Sequence, residues 1–236
     1  MCNDHPVQLP RRGLLAVSAA SLVAGSLAAP ALAQTAKPAP NAMTPDQALK
    51  RLMDGNARYV ANAPDNKDFS AGRAARAQSQ HPFAGLLSCA DSRVAPELAF
   101  DQSPGELFVV RVAGNFVNTD GLASLEFGVK VLGMPLIMVL GHTNCGAIAA
   151  TINVMKEKTQ LPGHLPDLVK AIKPAIDLAE KANAANPLDE AIKQNVRYNV
   201  RRLLEAKPII AEAAAAGKVK VVGGMYDLAT GKVALI

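Results

Sequence analysis

The sequence predicts an α/β fold: a central, mostly parallel β-sheet flanked by helices, with an N-terminal helical arm and a C-terminal edge strand or hairpin. Three observations predict it. Short runs such as "FAGLLSC" and "PLIMVLGH" are apolar at nearly every position instead of alternating, as strands buried on both faces are. Helical patterns such as "GLASLEFGVKVLG" separate these runs, as crossovers between parallel strands require. The chain has 236 residues, 50% of them hydrophobic and 19% charged, enough for one domain with a sizeable core.

Residues 1–33 read as an export signal and stand apart from the fold. Arg11 and Arg12 form a charged start, "GLLAVSAASLVAGSLAAP" an apolar stretch of small residues, and "ALA" before Gln34 a cleavage site. The paired arginines point to the twin-arginine route. The apolar stretch is short and Ala-rich for a membrane span of about 20 residues, so the mature protein is expected to be periplasmic or secreted, with no membrane association after cleavage. Residues 34–43, "QTAKPAPNAM", read as a flexible leader, and residues 44–236 as one catalytic domain.

That domain opens with a helix. Thr44 is its N-cap, Pro45 its first residue and Gln47 the capping-box partner, followed by Leu49, Leu52, Met53 and Val60 at roughly helical spacing. "FAGLLSC", "ELFVVRVAG" and "PLIMVLGH" are the buried strands, and "GLASLEFGVKVLG" is a helix stopped near Gly133 and Pro135. The last third is helical, with Ile192, Val196, Val200, Leu203 and Leu204 on one stripe and Gly217 as a C-cap. "KVKVVGGMYDL" and "KVALI" close the chain as a hairpin or edge strand.

The net charge of +5 is spread along the chain without a basic block or interleaved aromatics, which gives nucleic-acid binding no support. Once Cys2 leaves with the signal, Cys89 and Cys145 remain. In an exported protein these could form a disulfide, and they could equally hold a metal.

The residues around them favour the metal. "SCADSRV" places Cys89, Asp91 and Arg93 at alternate positions just past one apolar strand, and "GHTNCG" places His142 and Cys145 just past another. In an open parallel sheet the carboxyl ends of strands converge on a shared crevice, so the three can meet. Two thiolates and an imidazole suit zinc and leave one tetrahedral position open, the catalytic pattern. If Cys145 opens the helix "CGAIAATINVM", the helix N-terminus favours its thiolate. Arg93 offers a planar fork for the Asp91 carboxylate. That pairing would keep Asp91 off the metal and free to accept a proton. Taken singly, the motifs also fit a buried inert thiol, a helix-capping histidine, and an N-cap aspartate beside a surface arginine.

Together, "CADSRV", "PGELFVVRVAGN", "SLEFG" and "GHTNCGA" resemble the β-class carbonic anhydrases, over a span from about Thr44 to the C-terminus. The resemblance implies one Zn2+ per subunit on Cys89, His142 and Cys145, with Asp91 and Arg93 as a catalytic pair and Asp91 able to become a fourth ligand in a closed state. It implies a substrate pocket of Gln80, Phe108 and Phe127, the last standing where plant members carry tyrosine. Gly114 stands where many members have alanine. The implied reaction is reversible hydration of CO2 to bicarbonate and a proton by attack of zinc-bound hydroxide. The implied assembly is a homodimer or higher even oligomer, with N-terminal helices packed on the partner and the pocket at the subunit boundary. His81, beside Gln80, is a candidate for carrying the proton away, and His164 lies in a loop. Two other readings stay open: hydrolysis of carbonyl sulfide or carbon disulfide on the same fold, and zinc binding without catalysis.

Overall fold

The computed structural model describes residues 41–65, 67–70 and 72–236. The expected export signal of residues 1–33 lies outside the described residues, as does the expected leader up to residue 40. From Asn41 onward the chain is anchored, because the buried Asn41 amide donates to the carbonyls of Pro82 at 3.0 Å and Leu132 at 2.8 Å. Within the stretch expected as a leader, Asn41 and Met43 are thus held by the fold, Met43 by packing against the core.

The first helix, α1 (Pro45–Val60), starts where the capping residues place it. Thr44 Oγ1 accepts the Gln47 N–H at 3.2 Å and Gln47 Oε1 accepts the Thr44 N–H at 2.8 Å, which satisfies two N–H groups that a helix start leaves without partners. The helix buries Ala48 and Leu52 against its own sheet, so only its outer side is left for a partner. Asn56 locks it there. Its amide donates to Ala99 O at 2.9 Å and Gly231 O at 2.8 Å, and its oxygen accepts the Val233 N–H at 2.8 Å.

After the short α2 (Arg73–Gln78) come β1 (Ala84–Ser88), α3 (Pro96–Ala99), β2 (Leu107–Arg111), α4 (Thr119–Lys130), β3 (Leu136–His142) and α5 (Gly146–Glu157). Then follow α6 (Leu165–Lys181), α7 (Pro187–Leu204), α8 (Ile209–Ala215), β4 (Lys220–Tyr226) and β5 (Val233–Leu235). The sheet runs β2-β1-β3-β4-β5. Its first four strands are parallel, and β5 turns back antiparallel on β4 as the hairpin expected. Gly217, at φ +67°, follows α8 in the left-handed conformation that ends helices.

β1 and β3 are buried at every position, and strand parity divides their side chains between two layers. Leu87, Cys89, Ile137 and Val139 join the core shared with Leu125, Ile148, Ile172 and Ile192. Ala84, Leu86, Leu136, Met138 and Leu140 join the core shared with Leu52 and Phe100. Each fully buried leucine contributes about 1.5–3 kcal/mol. This two-sided burial is why the strands read as unbroken apolar runs. It also leaves polar groups only where the strands end. Among the described residues no helix is long and apolar enough to cross a membrane.

Candidate metal centre

The polar residues gather at the carboxyl ends of β1 and β3. Cys89 follows β1 directly, His142 is the last residue of β3, and Cys145 is the N-cap of α5. Between the last two, Asn144 takes a left-handed φ of +53° and turns the chain back on itself. All three ligand side chains are buried, and one ligand atom from each lies within 4.8 Å of the others. Both cysteines are free thiols, so the disulfide alternative does not hold here.

Each donor is held by the protein around it. His142 Nδ1 lies 2.9 Å from the Thr143 carbonyl, which can only accept and so puts the ring proton on Nδ1. Nε2 then faces the thiols with its lone pair free, buried and with no hydrogen-bond partner. Thr143 is pinned in turn, its N–H donating to Tyr226 O at 3.0 Å and its Oγ1 accepting the Leu228 N–H at 3.0 Å. Cys89 Sγ accepts the Gly114 N–H at 3.2 Å.

Between the thiols, Cys89 is the one that ionises. The Cys145 thiol donates to it, which outweighs the cost of burial, and His142 and the Gly114 N–H add to the effect, holding Cys89 down at about 4. The same hydrogen bond, with burial, pushes Cys145 up. Burial disfavours the charged form of His142, but the Cys89 sulfur, the Thr143 carbonyl and the Asp91 carboxylate together outweigh it and raise its pKa. Two thiols and an imidazole with a bare, buried Nε2 fit a tetrahedral zinc site of three protein ligands.

Asp91 lies beside this triangle, its Oδ2 3.8 Å from His142 Nε2. Arg93 grips it with a two-pronged bond, Nε to Oδ1 at 2.9 Å and an Nη to Oδ2 at 2.7 Å, and the Arg93 backbone N–H adds a third at 3.0 Å. These bonds, with the Arg93 side chain foremost, hold the Asp91 carboxyl well below the usual carboxylate range. The guanidinium also donates to Asn144 O at 3.3 Å, which ties the loop after β1 to the turn before α5. The carboxylate is thus turned onto arginine, the open arrangement.

Arg111 escaped the sequence reading. From the end of β2 it donates to Cys89 O at 2.9 Å and Asp91 O at 2.7 Å, so it clamps the backbone that carries both residues. The available signal was a charged residue closing the buried strand "LFVVR".

The residues expected in a substrate pocket lie elsewhere. Phe108 is half-buried on β2, opposite Gly85 in register, four residues before Cys89 along the strand direction and so roughly 13 Å away. Phe127 is 46% exposed on α4, and Gln80 is exposed in the segment before β1. His81, also exposed, lies 3.1 Å from the Ser79 hydroxyl, and His164 is the N-cap of α6.

A parallel sheet that presents two thiols and an imidazole beside an arginine-held carboxylate defines a metal-dependent hydrolytic or hydration enzyme. Sequence comparison narrows the class. The carbonic anhydrase family profile matches residues 84–233. Carbonic anhydrase of Mycolicibacterium smegmatis is 42% identical over 81% of this chain and 93% of its own. Carbonic anhydrase 2 of Mycobacterium tuberculosis is 38% identical over 81% and 92%. Among solved structures, the β-carbonic anhydrase of Coccomyxa in complex with acetazolamide superposes with a TM-score of 0.61 at 31% identity, over 80% of this chain and 86% of that one. The chain belongs to the β-class carbonic anhydrase family.

Proposed function

We propose that the protein catalyses the reversible hydration of carbon dioxide to bicarbonate with one zinc ion per subunit, held by Cys89, His142 and Cys145. The observation that carries this reading is the Asp91 carboxylate, turned onto Arg93 within 4 Å of the ligand triangle. A protein that only stores zinc has no use for that pair. Zinc bound there supplies the Lewis acidity that makes water a nucleophile near neutral pH.

The chain's own residues do the rest. Asp91 is ionised throughout the physiological range, and after the three Arg93 bonds, two on Oδ1 and one on Oδ2, its Oδ2 keeps a lone pair. It can accept a hydrogen bond from the attacking water and fix its orientation. Arg93 keeps the carboxylate from swinging onto the metal. We assign Gln80, Phe108 and Phe127 to the substrate pocket, completed where a second copy meets this face. This accounts for the exposure of Phe127 and Gln80 in the single chain. The paired arginines Arg11 and Arg12 support export of the folded protein to the periplasm or beyond.

Stopped-flow CO2 hydration on the zinc-loaded mature protein tests the proposal. Turnover is expected from about pH 7 upward, because Asp91 is turned away from the metal. Absence of turnover at every pH, with zinc content confirmed, would remove the proposal and bring carbonyl sulfide and carbon disulfide forward as substrates.

A further inference from the structure

Cys89 Sγ receives its backbone hydrogen bond from Gly114, in the loop between β2 and α4. That loop has an unusual path. Gly114 and Asn115 take left-handed φ angles of +85° and +40° in succession, a conformation that costs a residue with a side chain more than it costs glycine. A Cβ on Gly114 would lie 2.7 Å from Ile172 Cδ1 of α6, so the backbone is pressed against the core on that side.

On its other side the loop is held by two buried amides of α7. Asn195, 1% exposed, donates from Nδ2 to Gly114 O at 2.8 Å. Asn199, fully buried, donates to Asn195 O at 2.8 Å and Oδ1 at 3.2 Å, and its own oxygen accepts the Val117 N–H at 2.8 Å. Arg202, one turn further on, donates to Val117 O at 2.5 Å. Asparagine is a poor interior helix residue, and burying two amides is unfavourable unless each finds partners. Here every partner is either the other asparagine and its backbone or the loop that contacts Cys89.

We propose that Asn195 is a positioning residue for the metal centre. By holding Gly114 O it sets the orientation of the glycine whose N–H meets the Cys89 sulfur, and Asn199 braces it from behind. Groups that hydrogen-bond a metal ligand tune the ligand's basicity and the metal's retention. An N–H directed at a thiolate draws electron density from the sulfur. The inference rests on the reading of Cys89 as a metal ligand.

Cobalt(II) in place of zinc provides the test, because its thiolate-to-metal charge-transfer band reports electron density on the sulfur. In Asn195→Ala the band is expected at longer wavelength than in the unaltered protein. Cobalt is expected to pass to EDTA on the order of ten times faster. Asn186→Ala is the control for simple destabilisation. It removes the N-cap of the same helix, where Asn186 Oδ1 accepts the Asp189 N–H at 3.1 Å, and should lower Tm with the band unmoved. If Asn195→Ala does not fold, Asn195→Ser carries the same expectation, since its hydroxyl leaves room for water but falls short of Gly114 O. A band and release rate unchanged from the unaltered protein, or moved no further than in Asn186→Ala, would overturn the inference alone. No charge-transfer band in the unaltered protein would instead overturn the reading of Cys89 as a ligand.

Discussion

The carboxyl ends of β1 and β3 and the outer face made by β2 and α4 are built in opposite ways. At the first, Cys89, His142 and Cys145 are buried with Asp91 half-buried beside them, and hydrogen bonds from the same chain hold Cys89, His142 and Asp91. At the second, Phe127 and Gln80 are exposed, and β2 has a neighbour on one side only. The three candidate ligands therefore come from a single chain, while the surface proposed for the substrate lies open on it. Precision in ligand placement needs a rigid, buried shell. Access for a gas needs a surface, which a partner can then shape.

The largest effect that would sharpen this contrast comes from Cys145→Ser. It is expected to abolish zinc retention under dialysis and to bring CO2 hydration to the uncatalysed background, with the circular dichroism spectrum kept. Full zinc occupancy in this variant would break the idea of a self-contained three-ligand site.

Asp91→Asn comes next. Turnover should fall on the order of 10²- to 10³-fold while zinc per subunit, read by mass spectrometry, stays at one. Equal losses of metal and activity would make Asp91 a structural residue of the site.

Gln80→Ala should have the smallest effect, roughly a tenfold fall in kcat/KM, about 1.4 kcal/mol, with zinc content and Tm unchanged. A kcat/KM equal to that of the unaltered protein would show that the exposed face takes no part in the reaction and that the pocket lies wholly inside the subunit.

How legible all this was in the sequence follows the same division. The metal ligands could be read because parallel strands deliver whatever follows them to one crevice, so "SCADSRV" and "GHTNCG" at the ends of apolar runs belong together before any coordinates. The Thr44 cap and the terminal hairpin were legible because they depend on neighbours a few residues away. Arg111, Asn195 and Asn199 were not, since each bonds to backbone groups of a distant loop, and a carbonyl leaves no mark in a sequence. α6 was hidden within a general reading of helix, because Pro166 and Pro174 in "LPGHLPDLVKAIKP" look like loop residues. Pro166 in fact stands in the first turn, where it is tolerated.

His142 owes its orientation to Thr143, and Thr143 is held by Tyr226 and Leu228 at the far end of the chain. During synthesis this makes the site a late event. Cys89 and Cys145 leave the ribosome long before β4 does, and until Lys220–Tyr226 adds itself beside β3 the Thr143 that orients the imidazole lacks its anchors. Parallel pairing of strands so distant in sequence is slow to form, so the thiols pass through an interval in which they exist without their third companion. A cell that makes this protein must keep those sulfurs reduced until β4 is laid down.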